Sequence, residues 1–101
     1  MAHRRDLQIA SLIENIIRQY FYTRSCHKEI TIIQVTMQDK KTALISYEPL
    51  EKNISYDNLL KIQAELDKLT PRLRHHIAKE TAMKATPHIR FSPSLESSSG
   101  L

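Results

Sequence analysis

Arg72, His75, His76 and Lys79 follow Pro71 at separations of three, four and seven, the spacing that gathers side chains on one face of a helix. With Leu73 and Ile77 set against a core, two fixed cations and two imidazoles fall on the opposite arc. Phosphate oxygens favour such a set, Arg through bidentate hydrogen bonds and Lys as a point charge. A helix beginning at Pro71-Arg72 would add free N–H groups and a positive dipole end. Arg74 lies inside the same segment, and His3, Arg4 and Arg5 form a second basic cluster ahead of the first apolar pattern. The candidate polyanion-binding residues are therefore Arg4, Arg5, Arg72, Arg74, His75, His76 and Lys79. Arg24, Lys28, Lys40 and Lys41 are secondary candidates. The bland alternative for the same arc is a solvated helix face.

The charge distribution fits either reading. Between Lys68 and Arg90 there are six Lys or Arg against the single acid Glu80, a local charge of +5, so the rest of the 101-residue chain of net charge +4 is close to neutral. Clustering of one sign on one segment is the electrostatic footprint of a polyanion-binding face. Enzymatic chemistry finds little support. Cys26-His27 puts a thiol and an imidazole side by side in sequence, but no third residue is spaced to orient them. His75 and His76 project about 100° apart on a helix and no Cys/His pair accompanies them, which argues against structural zinc. The only glycine is Gly100, so a phosphate-cradling glycine loop is excluded from the fold. No cofactor and no small-molecule substrate are expected.

Length permits one domain with one core. At 41% hydrophobic and 26% charged residues, the composition is that of a soluble globular protein, and no apolar run approaches the ~18 residues of a membrane span. The opening Met-Ala-His-Arg-Arg-Asp lacks the pattern of a secretory signal, and a single cysteine forms no intrachain disulfide; both fit the cytoplasm.

The elements that must position the basic arc can be read from periodicity. Ile9, Ala10, Ile13, Ile16, Ile17 and Tyr20 step by three and four, predicting a helix from about Arg5 to Tyr22. Ile30 to Met37 is rich in β-branched residues, and Thr42 to Tyr47 alternates through Ala43, Ile45 and Tyr47, predicting a hairpin around Gln38-Asp39-Lys40-Lys41. Pro49 should end the second strand by Glu48. A helix capped by Ser55 or Asp57 follows, with Leu59, Ile62, Leu66 and Leu69 on one face. Proline costs ~3 kcal/mol inside a helix and almost nothing at the first position of a new one. Thr70-Pro71 is accordingly expected to be a joint between two helices. His88 to Phe91 closes as a short strand. The serine-rich stretch 92–101 is expected to be a disordered tail behind a folded domain of residues 1–91.

This order and these residues resemble the ribosome-binding factor A family, whose members resemble type II KH domains. The resemblance rests on Ile30-Thr31-Ile32, Val35, Asp39, Ala43, Ile45 and the closing Pro87-His88-Ile89-Arg90-Phe91. Between them Arg74, Ile77, Ala78, Lys79, Met83 and Lys84 match the family's basic helix. It spans roughly residues 4 to 92. Leu69-Thr70-Pro71 stands where the family usually has a small-residue kink ending in glycine, Ser25-Cys26-His27 stands where it often has Asp-Pro-Arg, and the tail after Phe91 lacks its aspartate. The Gly-x-x-Gly loop with which ordinary KH domains clamp a nucleic-acid backbone is missing as well.

The resemblance implies an α+β domain of order α-β-β-α-α-β, with a mixed three-stranded sheet packed against helices. It also implies a non-enzymatic, monomeric cytoplasmic factor that binds the small ribosomal subunit and its rRNA during late maturation and processing. Two other readings remain. In one, the hairpin edge and first helix form a dimerisation or adaptor surface; in the other, Cys26 serves a small thiol enzyme.

Overall fold

A computed structural model describes residues 4–24 and 29–94, without the side chains of Arg4 and Arg24. Helix α1 (Arg4–Arg24) is followed by β1 (Ile30–Asp39), β2 (Thr42–Pro49), α2 (Tyr56–Glu80) and β3 (His88–Pro93). The sheet order is β1-β2-β3, antiparallel between β1 and β2 and parallel between β2 and β3. A parallel neighbour requires a crossover, and α2 supplies it. The α+β class and the mixed three-stranded sheet are as expected. The order is α-β-β-α-β, however, because one helix occupies the place of two.

Pro71 is the reason for the difference. It lies inside α2, a single 25-residue helix. The pyrrolidine ring removes one donor, so the carbonyl of Asp67 loses its i+4 partner, but the rest of the helix holds on both sides. Leu66, Leu73 and Ile77 form a continuous buried stripe across the proline, each with no solvent exposure. Burying three large aliphatic side chains is worth roughly 1.5–3 kcal/mol apiece, which outweighs the ~3 kcal/mol penalty of an interior proline. Thr70, read as a cap, instead donates its hydroxyl to the Leu66 carbonyl at 3.1 Å, one turn back in the same helix. The true cap is Ser55, whose Oγ accepts from Asn58 N–H at 3.2 Å.

Both helices cover one face of the sheet. Ile30, Ile32 and Val35 from β1, Ala43, Ile45 and Tyr47 from β2, and Ile89 and Phe91 from β3 meet Ile13, Ile16, Ile17 and Tyr20 of α1 and the stripe of α2 in one core. The run Ile30-Thr31-Ile32-Ile33-Gln34-Val35 keeps its inward residues in phase through a bulge at Ile33. Without the extra residue, a strand that buries Ile30 and Ile32 would turn Val35 to solvent.

The bulge is held from outside. Arg18 donates to the Ile33 carbonyl at 3.1 Å, and Glu14, paired with Arg18 at 3.1 Å, accepts from Val35 N–H at 3.1 Å. At the far edge, Gln63 Nε2 donates to the Phe91 carbonyl at 3.1 Å, and Pro93 presents no donor at all. Helix side chains thus occupy backbone groups on both outer strands. The hairpin turns through Lys40-Lys41, where Asp39 Oδ1 accepts from Lys41 N–H at 2.7 Å. β3 extends two residues beyond Phe91, and Ser94 N–H donates to the Tyr47 carbonyl. The expected tail is left with 95–101, which lie outside the described residues.

Candidate nucleic-acid interface

The basic arc sits near the C-terminal end of α2. Arg72, His75, His76 and Lys79 together with Pro71 and Tyr20 line one open depression of about 420 Å³. Arg72, His75 and Lys79 are exposed, and His76 is half-buried because its imidazole packs edge-on against the Tyr20 ring, centroid to centroid 5.0 Å. No acid lines the depression, and none of its three exposed bases forms a salt bridge among the described residues. Lys68, also exposed, lies one turn before Arg72 and lengthens the same stripe.

Continuity of α2 changes the electrostatics expected of this site. No helix starts at Pro71-Arg72, so neither free N–H groups nor a positive dipole end faces the ligand. Lys79 instead occupies the last turn, where the dipole is negative and favours a cation. Attraction for an anion must then come from the side-chain charges alone. The arrangement suits exposed phosphates, which bind through several separate cations and carry no base-specific information.

Of the remaining primary candidates, Arg5 and Arg74 do not line this depression. Arg74 lies about 200° around the helix from Arg72, and its guanidinium is committed elsewhere. Nε donates to the Pro87 carbonyl at 3.2 Å and Nη2 to the Thr86 carbonyl at 2.9 Å, pinning the loop that leads into β3. Arg5 is exposed at the start of α1. His3, Cys26, His27, Lys28 and the side chains of Arg4 and Arg24 lie outside the described residues. Among the described residues no group of three His, Cys, Asp or Glu could hold a metal. No helix among them is long and apolar enough to cross a membrane.

Tyr20 is the wall that the sequence did not disclose. It belongs to the apolar face of α1 by spacing, and nothing local to it signals that its ring edge will meet His76, far along the chain. Lys68 could have been found, since it shares the helical face of Arg72 and Lys79.

No protein-family model matches the sequence, and no curated protein sequence matches it. The fold has solved counterparts. The crystal structure of ribosome-binding factor A from Thermus thermophilus superposes with a TM-score of 0.69 at 13% identity, covering 87% of this chain and 94% of that one. The solution NMR structure of a Thermotoga maritima protein provisionally assigned as a ribosome binding factor A gives a TM-score of 0.60 at 22% identity, covering 86% and 80%. At these identities the likeness establishes that the chain has the fold of ribosome-binding factor A proteins.

Proposed function

We propose that this chain is a non-enzymatic ribosome-binding assembly factor. It binds the small ribosomal subunit in the cytoplasm, contacts rRNA phosphates through Arg72, His75, His76 and Lys79, and assists late maturation and processing of that rRNA. The observation that carries the reading is the depression in which these four side chains converge without an acid, on a fold shared with proteins named for ribosome binding. Mechanistically, α2 presents the fixed cations Arg72 and Lys79 beside the contact that His76 makes with Tyr20 of α1. Folded RNA is engaged by shape and phosphate spacing, and release follows from the salt sensitivity of such contacts.

The competing reading, a dimerisation or adaptor module working through the hairpin edge and α1, has less to stand on at that edge. Glu14 and Arg18 already occupy two of the β1 backbone groups that strand addition would use, the Val35 N–H and the Ile33 carbonyl. A monomer is therefore part of the proposal. The test is sedimentation of cell extract and of purified protein with ribosomal particles. Comigration with free small subunits but not with assembled ribosomes is expected; absence from both overturns the proposal.

A further inference from the structure

The opposite end of α2 carries a surface of another kind. A groove of about 630 Å³ lies between the ends of β1 and β2, the loop 50–54 and the first turns of α2. Ile33, Leu50 and Tyr56 line it while remaining 41%, 60% and 72% exposed, and Leu60 beside it is 48% exposed. Single exposed apolar residues are ordinary, whereas several around one concavity mark an interaction site. The loop that forms one wall is tied at both ends. Leu50 N–H donates to the Glu29 carbonyl at 2.8 Å, and Ser55 caps the helix that follows. Between them Asn53 holds a left-handed φ of 57°, which asparagine tolerates better than most residues.

Charge decides what could fill the groove. Glu48 and Glu51 line it, Asp57 follows Tyr56 in the first helical turn, and Glu29 is held beside Leu50. Among the described residues Lys52 is the only base in the lining, with Lys61 a turn further along α2. In a chain of net charge +4 the described residues at this end carry more acid than base, which favours a basic partner over nucleic acid. The chain's own residues 95–101 continue from Ser94, which lines the groove, but they contain Glu96 and no base. A second copy meeting it symmetrically would bring the same acidic rim.

We propose that this groove docks an extended basic segment of another protein, which inserts an aliphatic or aromatic side chain among Leu50, Tyr56 and Ile33 and sets its Lys or Arg residues on the rim formed by Glu48, Glu51 and Asp57. The site lies roughly 25–35 Å along α2 from the basic depression, at 1.5 Å per residue. It does not depend on what that depression binds. Two partners of opposite charge would then engage the two ends of one helix.

The test uses the ¹⁵N-labelled full chain and two synthetic peptides, Lys-Leu-Lys-Phe-Lys-Leu-Lys and its counterpart with Glu in place of Lys. Amide shifts confined to residues 31–33, 48–60 and 94, which line or flank the groove, are expected with the Lys peptide, and at least fivefold weaker binding with the Glu peptide. Leu50→Ser and Glu51→Lys, both at exposed positions, should each weaken the Lys peptide at least fivefold while the rest of the spectrum is unchanged. Shifts located elsewhere, or no shifts, overturn the proposal. So do groove amides that move with protein concentration alone, which would indicate a second copy. Groove amides that move without peptide in a Leu95→Ser/Leu101→Ser chain would identify the tail as the occupant and also overturn it.

Discussion

The Tyr47 hydroxyl donates to Gln63 Oε1 at 2.6 Å, joining the middle strand of the sheet to the crossover helix through the centre of the fold. Gln63 passes the connection on, donating from Nε2 to Asp67 Oδ1 at 3.0 Å and to the Phe91 carbonyl at 3.1 Å. One amide therefore links β2, α2 and β3, and a tyrosine ring with no solvent exposure has its polar atom satisfied.

Burial, with a smaller contribution from the Asp67 carboxylate, pushes the Tyr47 hydroxyl up to about 12 from the ordinary 10.0. Because the folded value is the higher one, the neutral phenol's contribution is fully present below pH 10 and is lost as pH rises through about 12. Denaturant unfolding as a function of pH should show stability falling over that window. Tyr47→Phe should remove this part of the fall, at a cost of about 1–2 kcal/mol at neutral pH from the lost hydrogen bond. The difference in phenolate absorbance between the two proteins reports the ionisation directly.

Replacing Arg72 and Lys79 together by Gln should leave the fold intact, since exposed substitutions shift stability by only about 0.5 kcal/mol. Small-subunit binding should weaken, and the slope of log K against log salt should flatten by roughly 1–2 if both residues contact phosphate. The same change at Lys40 and Lys41, in the hairpin turn, should have a smaller effect. Unchanged affinity and slope in the Arg72/Lys79 variant would return the basic arc to a solvated surface.

Arg74→Gln should behave in the opposite way. Losing charge-assisted bonds to the Thr86 and Pro87 carbonyls should lower stability by about 1–3 kcal/mol in urea unfolding. Subunit binding by the protein that remains folded should stay near the parent value. A binding defect without a stability defect would place Arg74 at the RNA instead.

Pro71→Ala restores a donor for the Asp67 carbonyl inside α2 and should raise stability by roughly 1–3 kcal/mol. A loss of stability would mean that the proline ring contributes packing that exceeds its cost to the helix.

Much of this fold was legible because periodicity reports burial. The stripe from Ile9 to Tyr20 and the alternation Ala43, Ile45, Tyr47 face the core as their spacing requires. Pro71 misled because propensity is local, whereas the burial of Leu66, Leu73 and Ile77 that carries the helix past it is tertiary. The hydrogen bonds of Arg74 were hidden for a related reason. A count of bases treats every guanidinium alike, and its partner carbonyls lie twelve and thirteen positions away in an irregular segment. The convergence of Arg72, His75, His76 and Lys79 was readable from helical spacing, but their neighbour Tyr20 was not, since it arrives from another helix.

The parallel pairing of β2 with β3 also imposes an order of events on a ribosome making this chain. The hairpin closes from adjacent sequence, but the other side of β2 waits until residues 50–87 have been synthesised, roughly 2–8 s at 5–20 residues per second. Until α2 is complete at Glu80, Ile45 and Tyr47 have α1 available as cover but neither α2 nor Phe91, so the nascent domain lacks Leu66, Leu73, Ile77, Ile89 and Phe91 of its eventual core. The final strand is consequently the last to close the open side of β2, and a stall before α2 is complete would leave less of the sheet covered than one shortly before His88.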